Sequence, residues 1–490
     1  MRTRRKAIFN TVLTVLVIFT ISQLHTAKRD FTSLARTGLQ THQSQFREHL
    51  SHLFTKHEPR CAALELSESA GWPRYDALFE TARENHIDHG EEIVMPMQDA
   101  HDGFVHEMRK TGLNPPYVLG TRGVVSAAGG KYLPTFLVTL RLLRRTGCTM
   151  PVELFVKDMI EYDPGVCETV LPALNARCVV LSETMGLDTK NNRTTRIGMV
   201  IEHYQLKSFA VLFSSFEDVV WLDADCIPVY DPESLLLAEP YVSTGLVTWP
   251  DYWASTISPL YFNISRQAEF EFPTTARAST EAGVFLVSKK THAHALVLAA
   301  YYNYYGPSHY YHLLAQGAPG EGDKDTFVQA AAAVNQTFYT VSERVADLGR
   351  RRFEDNDWDI IHVAMVQADP MQDYELTRQG KWRVEDEFVA DAPRVFFIHA
   401  NMVKFNPGDN LLDASKNDND DDDGRRRLWT APEESMRRLG YDVEKRAWEE
   451  VITVSCLLGD VFGTEHCSQV QMHWNAVFGN VTAAIQSQSF

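Results

Sequence analysis

The spacing of apolar residues changes several times along the chain, and each change predicts an element. The first apolar stretch covers residues 7–24 and follows Arg2, Arg4, Arg5 and Lys6. It is close to the ~17-residue minimum for a spanning helix, although Asn10, Thr11, Thr14, Thr20 and Ser22 dilute it. No small-x-small cleavage site follows, and residues 25–29 are polar and basic, so the stretch reads as a retained anchor rather than a cleaved signal peptide. The basic flank then puts residues 1–6 in the cytosol and everything after residue 24 in a lumen. Residues 25–116 mix Gln, His, Arg and Glu with scattered apolar positions, which suits a stem with a membrane-proximal helical segment.

From residue 117 short apolar runs alternate with helical periodicity. Residues 123–126 read as a strand, Gly129-Gly130 as a turn, and Leu133, Phe136, Leu137, Leu140 and Leu143 as one face of a helix. Strands are predicted at 152–156, 179–181 and 219–222, with helices at 166–174 and 201–213. Strand, helix and strand repeated in this way predict parallel pairing, an α/β sheet in a domain over residues 117–410. The continuous apolar run at 219–222 is what a strand covered on both faces requires. Residues 411–428 contain an acidic tract at 417–423 and read as a solvated surface loop, and residues 429–490 as helices packed on the preceding domain.

Composition narrows the class. At 490 residues the chain is long enough for one large domain with appended segments. Its formal net charge of -17 argues against a nucleic-acid partner, which needs a basic face. Sequons at Asn192, Asn263, Asn335 and Asn480 fit a lumenal address. Of seven cysteines at least one stays unpaired; Cys456 and Cys467 read as a local disulfide, and Cys226 as a small buried thiol.

The chemistry is concentrated after the apolar run at 219–222, where Asp223 and Asp225 flank Ala224. Ligands of open α/β sheets bind outside the carboxyl ends of strands. Two carboxylates there repel unless a cation such as Mn²⁺ or Mg²⁺ joins them. Asp-x-Asp alone reads equally as such a pair or as aspartates capping a surface turn. Gly129 and Gly130 let backbone N–H groups approach a nucleotide and Lys131 can reach a phosphate oxygen, or the three form an ordinary strand-to-helix turn; Lys207 alone reads as a solvated helix lysine as readily as a site residue. His399 closes an apolar strand at 395–398, with Lys404 five residues on. Glu281 and Asp323 are carboxylates framed by apolar or glycine sequence, and each reads as a site residue or a capping residue.

Several blocks together resemble glycosyltransferase family 71, the fungal Golgi α-mannosyltransferases that build mannan branches from GDP-mannose. They are Gly129-Gly130-Lys131-Tyr132-Leu133-Pro134, Thr146-Gly147-Cys148-Thr149-Met150-Pro151-Val152-Glu153, Tyr204-Gln205-Leu206-Lys207-Ser208, Val220-Trp221-Leu222-Asp223-Ala224-Asp225-Cys226-Ile227-Pro228 and Gln316-Gly317-Ala318-Pro319-Gly320-Glu321-Gly322-Asp323-Lys324-Asp325-Thr326-Phe327. The resemblance implies a GT-A fold, Mn²⁺ dependence, type II topology in the Golgi membrane, and transfer from GDP-mannose with retained α configuration. It implies metal ligands at Asp223, Asp225 and His399, donor contacts at Gly129, Gly130, Lys131, Lys207 and Lys404, and catalytic roles for Asp323 and Glu281. The acceptor it implies is a mannose-terminated glycan, with a Golgi enzyme complex as a further partner; enzymes forming α-1,2 and α-1,3 linkages share these blocks, and the block around Asp323 is closer to the α-1,2 branch, with α-1,3 the alternative. The rivals are a transferase using another nucleotide sugar and a Golgi glycan-binding protein without catalysis.

Overall fold

The computed structural model describes residues 38–78, 83–186, 199–267, 278–354, 357–408, 411–414 and 425–479. The apolar stretch at 7–24, the sequons at Asn192 and Asn480 and the acidic tract at 417–423 lie outside the described residues. Among the described residues, no helix is long and apolar enough to cross a membrane.

The apolar runs build a mixed sheet. Strands β1 (Val118–Ala127), β2 (Val152–Val156), β3 (Ala176–Val180) and β4 (Phe216–Leu222) pair in parallel, as their alternation with helices predicts. After β4 the chain turns directly into β5 (Cys226–Pro228). Strands β6 (Leu246–Ala254), β7 (Ala278–Ser288) and β8 (Tyr339–Thr340) complete a seven-stranded sheet in the order β3-β2-β1-β4-β7-β6-β8, with β7 antiparallel to both β4 and β6. A second, antiparallel sheet follows the order β5-β11-β10-β9, where β9 is Ala346–Glu354, β10 Asp357–Ala368 and β11 Val395–His399. The turn between β4 and β5 is therefore the seam between the sheets, and Trp249 Nε1 bridges them again by donating to the Ala368 carbonyl at 2.8 Å.

Both faces of the large sheet are covered, which is why its strands are continuously apolar. Val124, Val220, Val284 and Leu286 point to one core, shared with the helix Leu133–Arg145, the second sheet and the C-terminal helix Val443–Leu457. Their neighbours Val125, Val219, Trp221, Phe285 and Val287 point to another, shared with the helices Gln205–Phe213 and Ala293–Tyr304. This second core also takes in the early part of the chain. Phe46, Leu50, Leu53 and Phe54 lie on one face of a helix over residues 38–56, and Met97, Phe104 and Met108 on one face of Gly90–Thr111; all are buried. From residue 38 onward the expected stem segment is thus packed against the sheet, because these spacings of three and four give it an apolar face to bury.

Strands β1 and β4 start earlier than the apolar runs at 123–126 and 219–222 indicate, at Val118 and Phe216, and three further boundaries differ from the sequence reading. The third strand is Ala176–Val180 and not 179–181. Its Arg177 is held by the buried Glu153, with Arg177 Nε donating to Oε1 at 3.2 Å, so a polar strand position escaped an apolar search. The helix expected from 201 starts at Gln205, since His203 has a left-handed φ of 49° and the Glu202 N–H donates to the Gln205 side chain at 2.8 Å. The segment 166–174 begins as a π turn and is tied to β3 by a Cys167–Cys178 disulfide that the sequence reading missed. The Cys456–Cys467 disulfide and the buried Cys226 thiol are as expected.

Candidate active site

Strand β4 ends at Leu222, and the next four residues cross the seam. The Asp223 N–H donates to the Gly283 carbonyl at 2.8 Å, and the Cys226 N–H closes a turn onto the Asp223 carbonyl at 3.0 Å. The register of β11 on β5 sets His399 opposite Cys226, and the Ala400 N–H donates to the Asp225 carbonyl at 3.0 Å. Asp223, Asp225 and His399 thereby offer ligand atoms that all lie within 4.8 Å of one another. His399 Nε2 lies 3.2 Å from Asp225 Oδ1.

Behind the imidazole, Glu281 Oε1 lies 3.0 Å from His399 Nδ1 and accepts the Gly283 N–H at 2.7 Å. A Cβ on Gly283 would stand 2.7 Å from His399 Nδ1, so only glycine lets strand β7 pass this close to the ring. A carboxylate on one imidazole nitrogen, with the other turned toward two aspartates, is the arrangement that orients a metal-binding histidine. Glu281 Oε2 is buried with no hydrogen-bond partner among the described residues. The donor set of two carboxylates and one imidazole fits a divalent cation such as Mn²⁺.

The surrounding charges are ordered. Lys207 is buried, with Nζ 3.2 Å from Asp223 Oδ1 and 3.1 Å from Asp323 Oδ2, and it donates to the Ala282 carbonyl at 2.6 Å. Lys404 Nζ contacts Asp225 Oδ2. Trp221 Nε1 donates to Asp223 Oδ1 at 2.8 Å. Burial opposes charge on His399, yet Glu281 and Asp225 hold its pKa well above the ordinary imidazole value. For Asp225 burial is likewise outweighed, by His399 and Lys404, and the carboxyl is held down. Asp323 goes the other way: burial raises it to about 6, with Lys207 opposing and Asp223 adding to the rise. Four carboxylates (Asp223, Asp225, Glu281 and Asp323) thus face two lysines. With a neutral imidazole, as a metal ligand must be, two negative charges are left over, the charge that one divalent cation balances.

These groups line a cavity of about 1760 Å³. Gly129, Lys207, Asp223, Asp225, Glu281, Asp323, His399 and Lys404 all border it, whereas Gly130 and Lys131 are not among its lining residues. Gly129 is needed on packing grounds, since a Cβ there would stand 2.2 Å from Glu161 Oε2. Lys131 Nζ sits over the Tyr132 ring, 5.1 Å from its centroid. The cavity also has walls that the sequence reading did not pick out: Trp72, Arg74, Asp251, Tyr252, Trp253, Lys324, Asp347 and Asp359. Of these, only Lys324, inside the block that includes Asp323, had a signal in the sequence.

Residues 121–369 match the family model of mannosyltransferases Mannosyl_trans3. The chain belongs to this mannosyltransferase family. Within the family it is 32% identical over 439 residues to Alpha-1,2-mannosyltransferase MNN21 of Candida albicans, an alignment covering 78% of this chain and 65% of that relative. To Alpha-1,2-mannosyltransferase MNN2 of Saccharomyces cerevisiae it is 28% identical over 462 residues, covering 79% of this chain and 73% of the relative. Across curated relatives the match takes in between 46% and 73% of the relative's own length. The galactosyltransferase LgtC crystal structure aligns with 45% of this chain and 73% of its own at 13% identity and a TM-score of 0.27, too distant to bear on the fold. The family match takes in Asp223, Asp225, Glu281 and Asp323, while His399 and Lys404 come from beyond it.

Proposed function

We propose that this chain is a retaining α-mannosyltransferase of GT-A type, moving mannose from GDP-mannose to a mannose-terminated glycan. The observation that carries the proposal is the convergence of Asp223, Asp225 and His399 at the seam of two sheets, on a cavity of about 1760 Å³, in a member of a mannosyltransferase family. The names of the relatives, together with the block around Asp323, favour an α-1,2 linkage. The run at 7–24 is assigned as a type II anchor that keeps the domain in the Golgi lumen.

Asp223, Asp225 and His399 would hold Mn²⁺, or Mg²⁺ less well, and the bound ion would supply positive charge for the departing diphosphate. Glu281 acts as a positioning residue: its carboxylate against Nδ1 keeps Nε2 free for the ion. Lys404, already beside Asp225, is placed to meet a phosphate oxygen. Lys207 fixes Asp223 and Asp323 relative to each other. Asp323, buried at the cavity wall, is assigned to a donor-sugar hydroxyl, and Gly129, the one residue of its turn-forming pair that borders the cavity, to the nucleotide side. Retention follows from attack on the face the diphosphate leaves, where a preorganised anionic wall stabilises oxocarbenium character.

The test is a panel of nucleotide sugars offered to the full-length protein with Mn²⁺ and an α-mannoside acceptor, with the linkage of the product read by NMR. GDP-mannose is expected to be the donor that gives product, with a new α-1,2 bond. Transfer from a UDP-sugar and none from GDP-mannose overturns the proposal.

A further inference from the structure

One end of the cavity is aromatic, and its lining includes a residue from far outside the family match. Trp72 is 74% exposed and borders the cavity. It is nevertheless held in place. The segment around it adds to the edge of β6: Arg74 bridges Trp253, the Tyr75 N–H donates to the Tyr252 carbonyl at 3.2 Å, and the Ala254 N–H donates to the Pro73 carbonyl at 2.8 Å. The Trp72 and Trp253 rings meet edge to face, with centroids 5.3 Å apart and planes at 85°, forming a corner of two indole faces.

The position of this corner is set by strand register. Trp249 lies opposite Glu281, the residue behind His399, and Trp253 is four residues farther along β6. Strand β6 is irregular between Pro250 and Ala254, and Ala254, next to Trp253, lies opposite Ala278, three residues from Glu281 along β7. At about 3.3 Å per residue that is roughly 10 Å, room for one sugar between the metal cluster and the corner. Asp347 and Asp359 border the same cavity. A pyranose presents a face of C–H groups that packs on an aromatic ring, and hydroxyls at its rim that donate to carboxylates. The lysines of the charged end suit phosphates, whereas indoles with carboxylates beside them suit the C–H face and hydroxyls of a neutral sugar.

Resting on the mannosyltransferase reading, we propose that Trp72 and Trp253, with Asp347 and Asp359, form a subsite for a neutral mannose residue of the acceptor glycan. Trp72, supplied by a segment ahead of the sheet, is a specificity-determining residue of this subsite.

The full-length protein and its Trp72→Ala and Trp72→Phe variants should be titrated calorimetrically with α-linked mannotriose, and their KM values measured for mannotriose and for GDP-mannose. Trp72→Ala should weaken mannotriose binding and raise its KM roughly tenfold, with Trp72→Phe restoring most of the loss. KM for GDP-mannose should stay within about twofold of wild type. Unchanged mannotriose binding in Trp72→Ala, or no mannotriose binding by the wild type, overturns the subsite; so does a rise in KM for GDP-mannose alone, which would place the corner on the donor. If the wild type binds mannotriose through Trp72 but does not use GDP-mannose, the donor assignment fails and the subsite stands.

Discussion

The two ends of the cavity are built by different means. At the seam of the sheets, buried carboxylates and lysines hold one another: Lys207 joins Asp223 to Asp323, Lys404 meets Asp225, and Glu281 backs His399. At the other end, Trp72 and Trp253 meet through ring contact, positioned by backbone hydrogen bonds from residues 73–75. A buried charge left without its partner is costly, so the charged end is sensitive to every one of its members. An exposed indole loses only its contact when truncated, so the aromatic end should tune affinity without disturbing the chemistry.

The largest effect that would sharpen this contrast is expected from Asp225→Ala. Loss of one metal carboxylate should lower kcat by at least about 10²- to 10³-fold. The fold should persist, because the bond that ties this turn to the end of β11 is donated by the Ala400 N–H to the Asp225 main-chain carbonyl, which the substitution keeps. Transfer within a few-fold of wild type, with an unchanged Mn²⁺ requirement, would break the comparison at its charged end.

Next in size are His399→Ala and Glu281→Gln. His399→Ala should raise the Mn²⁺ needed for half-maximal rate by about 10- to 100-fold, and Glu281→Gln should do the same at the lower end of that range. Neither should change the melting temperature in the absence of metal as much as a core substitution does. A large drop in melting temperature beside an unchanged Mn²⁺ requirement would mean that His399 serves the core and not an ion.

The smallest effect concerns Asp323. Its carboxyl sits at about 6 in the folded chain against an ordinary value of 3.8, so the folded state binds this proton more tightly than the unfolded state does. Its contribution to stability is then greatest below 3.8 and is lost as pH rises through about 6, by at most about 3 kcal/mol. In metal-free buffer, Asp323→Asn should flatten the decline in melting temperature between pH 4 and pH 6. Identical slopes for the variant and the wild type would show that Lys207 keeps Asp323 charged throughout.

How much of this was legible in the sequence follows from the same contrast. Strands β1, β2 and β4 announce themselves by apolar runs, and their parallel pairing follows from the helices between them. Asp223 and Asp225 stand out because two carboxylates end such a run, and His399 because it ends another. The part played by Glu281 could not be read, since it depends on β7 passing antiparallel beside β4, with Gly283 admitting the imidazole. Strand β6 was hidden by Pro250 and Asp251 within it, and β9 by the run Arg350, Arg351 and Arg352. Trp72 gave no signal at all: a single aromatic in a polar stretch has no period, and its partner lies in a strand the pattern did not show. Lys131 was legible as a basic residue after a glycine turn; its Nζ sits over the ring of Tyr132, which borders the cavity, and Lys131 itself is not among the lining residues.

The central claim is that Asp223, Asp225 and His399 hold a divalent ion needed for mannosyl transfer. The most direct test is the rate of transfer from GDP-mannose to an α-mannoside after exhaustive chelation, followed by titration with Mn²⁺, alongside Mn²⁺ binding followed by electron paramagnetic resonance. The account predicts that chelation abolishes transfer, that Mn²⁺ restores it, and that one ion binds per chain in the wild type and none in Asp225→Ala at the same concentration. Undiminished transfer by the chelated protein, or equal Mn²⁺ binding by the Asp225→Ala variant, would contradict it.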